Sequence, residues 1–123
     1  MTKEQFTEFA KLVVKHVRDK AIGSSDAQLY AKNSRAPIAN HWRKARESGD
    51  MDKYAETIIA DCIDDAIGCF LLAIDEGVFK LSFKTTDGEY VAADELEGEI
   101  CGWYMGDWRE HYSTKRVFTG YGF

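Results

Sequence analysis

The sequence predicts an α+β fold: a helical N-terminal half of three to four helices, a β-hairpin around residues 78–91, and a C-terminal helix with an aromatic tail. Three observations carry that reading. Apolar residues recur at three- and four-residue spacing up to about Glu76, the spacing then switches to strict alternation, and the alternating run leads into Asp87-Gly88, a tight-turn pair. At 123 residues the chain is one domain's worth, 1–123, large enough to bury a core without disulfides or a structural metal.

Thr2 followed by Gln5 is a capping box that opens the first helix. Phe6, Phe9, Ala10, Val13, Val17 and Ala21 share one of its faces, and Gly23 is the expected stop. Ser24, Ser25 and Asp26 then cap a short second helix reaching Tyr30 or Lys32. Pro37 suits the first turn of a third helix, where its missing N–H costs nothing. Ile38, Trp42 and Ala45 form the inner face of that helix, and Gly49 ends it.

Asp50 or Asp52 caps the longest helix, which runs to about Glu76. Ala55, Ile59, Cys62, Ile63, Ala66, Phe70 and Ala73 centre a broad apolar arc on it, predicted to face the core. Asp61, Asp64, Asp65 and Asp75 occupy the remaining arc, predicted to be solvated. Beyond Gly77, Phe79, Leu81 and Phe83 alternate with Lys80, Ser82 and Lys84, which marks a strand with the three apolar residues inward. Glu89-Tyr90-Val91 is the return strand. Asp94 caps a last helix through Tyr104, with Leu96, Ile100, Trp103 and Tyr104 spaced to bury. Seven of the 21 residues from Trp103 to Phe123 are aromatic, and aromatic side chains anchor protein interfaces. Trp108 and Tyr112, set among Asp107, Arg109, Glu110 and His111, are the ones expected to be partly exposed.

The N-terminus lacks the basic-then-apolar pattern of a signal peptide. The longest uncharged run, Ala66 to Ile74, is far short of the roughly 20 residues a membrane helix needs. Cys62, Cys69 and Cys101 are an odd count on apolar stretches, and read as reduced core thiols. Together these features place the protein in the cytoplasm, away from membranes.

Catalytic chemistry lacks its motifs. Asp61, Asp64 and Asp65 stand at the spacing that offers carboxylates to Mg²⁺, but no glycine-rich phosphate loop accompanies them. His16, His41 and His111 fall in no metal-binding spacing, and no serine occupies a nucleophile elbow. The expectation is a non-enzyme with no cofactor and no metal.

Charge supplies the functional signal. Residues 1–49 carry ten Lys/Arg and five Asp/Glu, a balance of +5, whereas residues 50–123 carry six and sixteen, a balance of −10. An acidic, aromatic second half repels nucleic acid and attracts basic proteins. The expected function is a small protein-binding module that meets a basic protein partner through Asp61, Asp64, Asp65, Asp75, Trp108 and Tyr112. An immunity- or antitoxin-like inhibitor has this size, this charge and this lack of catalytic residues. The opposing reading is nucleic-acid binding by the basic half, through Lys11, Lys15, Arg18, Arg35, Arg43, Lys44 and Arg46. It lacks an aromatic stacking partner, and a pI near 5.2 argues against it. An unrecognised small enzyme is the third possibility.

Overall fold

The computed structural model describes residues 2–31, 36–93 and 99–114, apart from the side chains at positions 5, 6 and 9. Gln5, Phe6 and Phe9 as face or cap residues, and Lys32, Arg35, Asp94, Leu96, Phe118, Tyr121 and Phe123, therefore lie outside the described residues. The elements are α1 (Lys3–Val13), a π-helical stretch (Val14–Asp19), α2 (Lys20–Leu29), α3 (Pro37–Glu47), α4 (Met51–Asp75), β1 (Ser82–Lys84), β2 (Tyr90–Ala92), α5 (Ile100–Trp103), a second π-helical stretch (Tyr104–Trp108) and α6 (Arg109–Tyr112). The fold is α+β, mostly helical with one small hairpin.

The helix ends follow local chemistry. Pro37 begins α3. Asp50 caps α4, its Oδ1 accepting the Lys53 N–H at 3.1 Å. Gly77, at φ 77°, closes α4 in the left-handed conformation that a side chain would strain. One expected stop is overridden. The chain stays helical through Gly23 to Leu29, although glycine costs a helix interior about 1 kcal/mol against alanine. Contacts with α4 offset that cost: Ala21 is buried, and the Ser25 hydroxyl donates to Asp65 at 2.9 Å.

After Gly77 the Val78 N–H donates to the Ala73 carbonyl at 2.8 Å, which turns the chain back onto the end of α4. Ala73, Ile74, Phe79 and Ile100 form the buried core there. Leu12, Val13 and Val17 pack on it from the first helical run, Leu81 from the hairpin and Trp108 from the C-terminal segment. The strands pair antiparallel with Phe83 opposite Val91, and Gly88 takes the turn at φ 90°. Phe79 and Leu81 face inward as expected, whereas Phe83 is 52% exposed. The alternation outruns the core: Leu81 packs on the buried cluster, and Phe83, two residues further along the strand, is not among the residues packed there.

The main departure from expectation is the orientation of α4. At its C-terminal end Phe70 packs on the core and Ala73 is buried, as predicted. Along its middle the faces are reversed. Asp61 is buried at 8% exposure, while Ile59 and Ile63 are 48% and 55% exposed. The other three aspartates are half-buried. Asp61, Asp64, Asp65 and Asp75 are therefore not a solvated face.

Candidate functional site

Asp61, Asp64, Asp65 and Asp75 of α4 each meet a donor from another part of the chain, whereas Asp52, in the first turn of the helix, is exposed. Asp61 accepts the indole N–H of Trp42, on α3, at 2.6 Å. Asp65 accepts the Ser25 hydroxyl of α2. Asp64 accepts the Tyr104 hydroxyl at 2.6 Å and an Arg109 guanidinium N–H at 2.9 Å. Asp75 accepts the backbone N–H groups of Ile100 and Cys101 at 3.0 and 2.9 Å, which holds the first turn of α5. A carboxylate withdrawn from water must be hydrogen-bonded or paired to be tolerated, and here the donors are supplied by the elements that pack on α4. The aspartates thus work as four polar anchors between the central helix and its neighbours.

The electrostatics match that role. Burial raises the pKa of Asp61 above its ordinary 3.8, and the Trp42 N–H offsets part of that rise. Burial, together with the Asp64 carboxylate it bonds, pushes Tyr104 up to about 12, so its hydroxyl remains a donor. Cys62, Cys69 and Cys101 are free, and half-buried rather than fully buried. Burial raises the thiol pKa of Cys69 and Cys101, which keeps them protonated and poorly nucleophilic at neutral pH. Among the described residues, no group of three or more His, Cys, Asp or Glu is placed to hold a metal ion. No helix there is long and apolar enough to cross a membrane.

One open surface among the described residues is the outer side of residues 99–112. Ile100, Tyr104 and Trp108 recur every four residues and turn inward, Ile100 and Trp108 to the core and Tyr104 to Asp64. Glu99, Trp103, Asp107 and Glu110 follow the complementary spacing, so they share the other side. Trp103 is 53% exposed. It borders an open hollow of about 730 Å³ also lined by Leu72, Asp75, Glu99, Gly102, Gly106 and Asp107. The cations of the segment are engaged: Arg109 by Asp64 at 2.9 Å, and His111 by Asp107 at 2.9 Å. The His111 pKa is raised, first by its bond to the Asp107 carbonyl and then by the Asp107 charge. The surface is therefore acidic with an aromatic centre.

The six expected partner-binding residues do not make one exposed patch. Tyr112 is exposed at 77%, Trp108 is half-buried against the core, and the aspartates face inward. Trp103, read from spacing as buried, is the exposed tryptophan. No local signal singles it out, because Leu96, Ile100 and Trp103 keep helical spacing as well as Ile100, Tyr104 and Trp108 do. In the basic half, Lys11, Lys15 and Arg46 are exposed, Arg18 pairs with Asp19 at 2.9 Å, and Arg43 donates to the Ala31 carbonyl. No protein-family model, curated protein or solved structure matches the chain.

Proposed function

We propose that this chain is a protein-binding module that receives a basic protein partner on the outer side of residues 99–112. The observation that supports it is Trp103, half-exposed at the rim of a hollow that Asp75, Glu99 and Asp107 also line. A large aromatic ring left in water by a chain that buries Trp42 and covers Trp108 is the usual form of an interface anchor. Acidic neighbours with few free cations select a basic partner and speed its encounter. Inhibition of a basic toxin, in the manner of an immunity protein or antitoxin, is a role with these requirements. The cytoplasm is the proposed compartment.

Trp103→Ala is expected to weaken partner binding about 30-fold or more, as loss of an interface anchor costs about 2 kcal/mol or more. The melting temperature should be unchanged, because the ring contributes little to the core. The experiment is affinity capture from the native host with the wild type and with Trp103→Ala, followed by titration of the captured protein against both. Binding should also weaken as salt rises. A partner held equally well by both proteins would overturn the assignment of this surface. Tight binding of DNA or RNA by the wild type, lost on replacing Lys11 and Lys15, would replace the reading with nucleic-acid recognition.

A further inference from the structure

The hollow beside Trp103 is lined by the carboxylates of Asp75, Glu99 and Asp107 and, among the described residues, by no cation. Asp75 is half-buried and fixed, each of its oxygens accepting one backbone N–H, from Ile100 at 3.0 Å and from Cys101 at 2.9 Å. A carboxylate has about four lone-pair sites, so both oxygens keep capacity for a further donor. Asp107 is half-buried and gives one oxygen to the exposed His111 at 2.9 Å. Glu99 is exposed.

The cations that act in this neighbourhood do not line the hollow. Arg109 is paired with Asp64, His111 reaches Asp107, and Lys20 acts on the thiol of Cys101. Next to Asp75 in the chain, the exposed Glu76 adds further negative charge. The hollow therefore selects a cation.

Its shape decides which kind. Cys101 lines the hollow together with the three carboxylates, yet no three such groups among the described residues are placed to hold a metal ion. The carboxylates do not converge on one point, so a small cation cannot satisfy them together. An extended cation can. Arginine carries five N–H donors on a planar fork, is more weakly hydrated than an ammonium, and stacks on aromatic faces. Lysine offers one compact point charge. The half-exposed Trp103 supplies an aromatic ring at the same place. Gly102 and Gly106 leave room beside it, since a Cβ at either would meet nothing within 4 Å.

We infer that this hollow receives one arginine side chain of the basic partner, its guanidinium stacked on Trp103 and donating hydrogen bonds to Asp75 and Asp107. The inference rests on the reading of this surface as the partner site, and names the side chain that the surface takes.

The probes are the acetylated amides of arginine, lysine and citrulline. Each is titrated into the full chain up to about 100 mM at constant ionic strength, with the Trp103 indole N–H signal followed by NMR. Arginine amide should move that signal saturably, with Kd on the order of 10 mM for one exposed cation–aromatic contact and its charge-assisted hydrogen bonds. Lysine amide should bind about 10-fold more weakly, and the uncharged citrulline amide should leave the signal in place. Gly106→Leu puts a side chain into the hollow and should abolish the shift. Its melting temperature should hold or rise, because glycine is a poor helix former. Asp107→Asn should weaken arginine amide about 5-fold, which keeps the inference falsifiable if the leucine variant folds poorly.

Lysine amide bound as tightly as arginine amide overturns the inference, as does a shift that survives both variants. A Trp103 signal indifferent to arginine amide overturns it too. Partner capture then separates the two claims. A partner lost on Trp103→Ala leaves the surface standing without the arginine site, whereas a partner held by Trp103→Ala removes the surface and the site with it.

Discussion

Replacing Arg109 by alanine is expected to destabilise the protein by about 3 kcal/mol, measured by urea denaturation at neutral pH. The guanidinium is 10% exposed and its partner Asp64 is 18% exposed, so most of their hydration is already lost. Removing the cation leaves a largely buried carboxylate with the Tyr104 hydroxyl as its remaining partner among the bonds described above. Breaking a buried pair from one side costs about 3–5 kcal/mol, and the residual water contact argues for the lower end. The Nε donation to the Met105 carbonyl is lost as well. The double variant Asp64→Leu with Arg109→Met should recover most of the loss, because apolar replacement of both partners leaves no orphaned charge. Recovery of that kind would separate a structural ion pair from one whose charge serves binding.

The second large effect lies at the other end of α4 and depends on pH. Asp61→Ala leaves the indole N–H of Trp42, a residue only 4% exposed, without its acceptor, at a cost of about 1–3 kcal/mol. Asp61→Asn keeps an acceptor oxygen and removes the charge. Because burial raises the folded-state pKa of Asp61 above 3.8, the native state holds this proton more tightly than the unfolded chain does. The Asp61 contribution to stability is then full below pH 3.8, and is lost as pH rises through the folded-state value. The asparagine does not titrate. Its stability relative to wild type should therefore improve between pH 3.5 and pH 7, read as the difference between the two denaturation curves at each pH. A relative stability that worsens over that interval would mean that Asp61 is ionised at a net gain to the fold.

Several element ends were legible in the sequence because they are decided within a few residues; the stops expected at Gly23 and Tyr104 were not, since the chain stays helical to Leu29 and to Tyr112. Pro37, Asp50, Gly77 and the Asp87-Gly88 turn each act through their own backbone geometry or an adjacent N–H. The long amphipathic helix was legible as a helix, and so was the hairpin. What the wheel could not decide is which face of α4 the protein covers. Hydrophobicity alone selects the isoleucine arc. The choice is reversed by donors distant in sequence: Trp42 is 19 residues from Asp61, Ser25 is 40 from Asp65, and Arg109 is 45 from Asp64. A carboxylate is a poor core residue until those donors arrive, and local pattern carries no trace of them. The same gap explains Trp103, whose exposure depends on which side of residues 100–112 meets α4. Charge counting suffered similarly. Part of the acidic excess after residue 50 is spent inside; among the described residues of the C-terminal segment, Glu99 and Glu110 are exposed and Asp107 is half-buried beside them.

The inward turn of the α4 aspartates is tested most directly by the NMR signal of the Trp42 indole N–H, assigned by comparison with Trp42→Phe and followed through a pH titration. A slowly exchanging proton is expected, its shift moving with an ionisation above pH 3.8, and that movement should be absent in Asp61→Asn. The Trp103 indole, half in solvent, should exchange faster. A Trp42 proton that exchanges as fast as that of Trp103 and ignores the titration of Asp61 would contradict it, and would return the acidic face of the helix to the solvent.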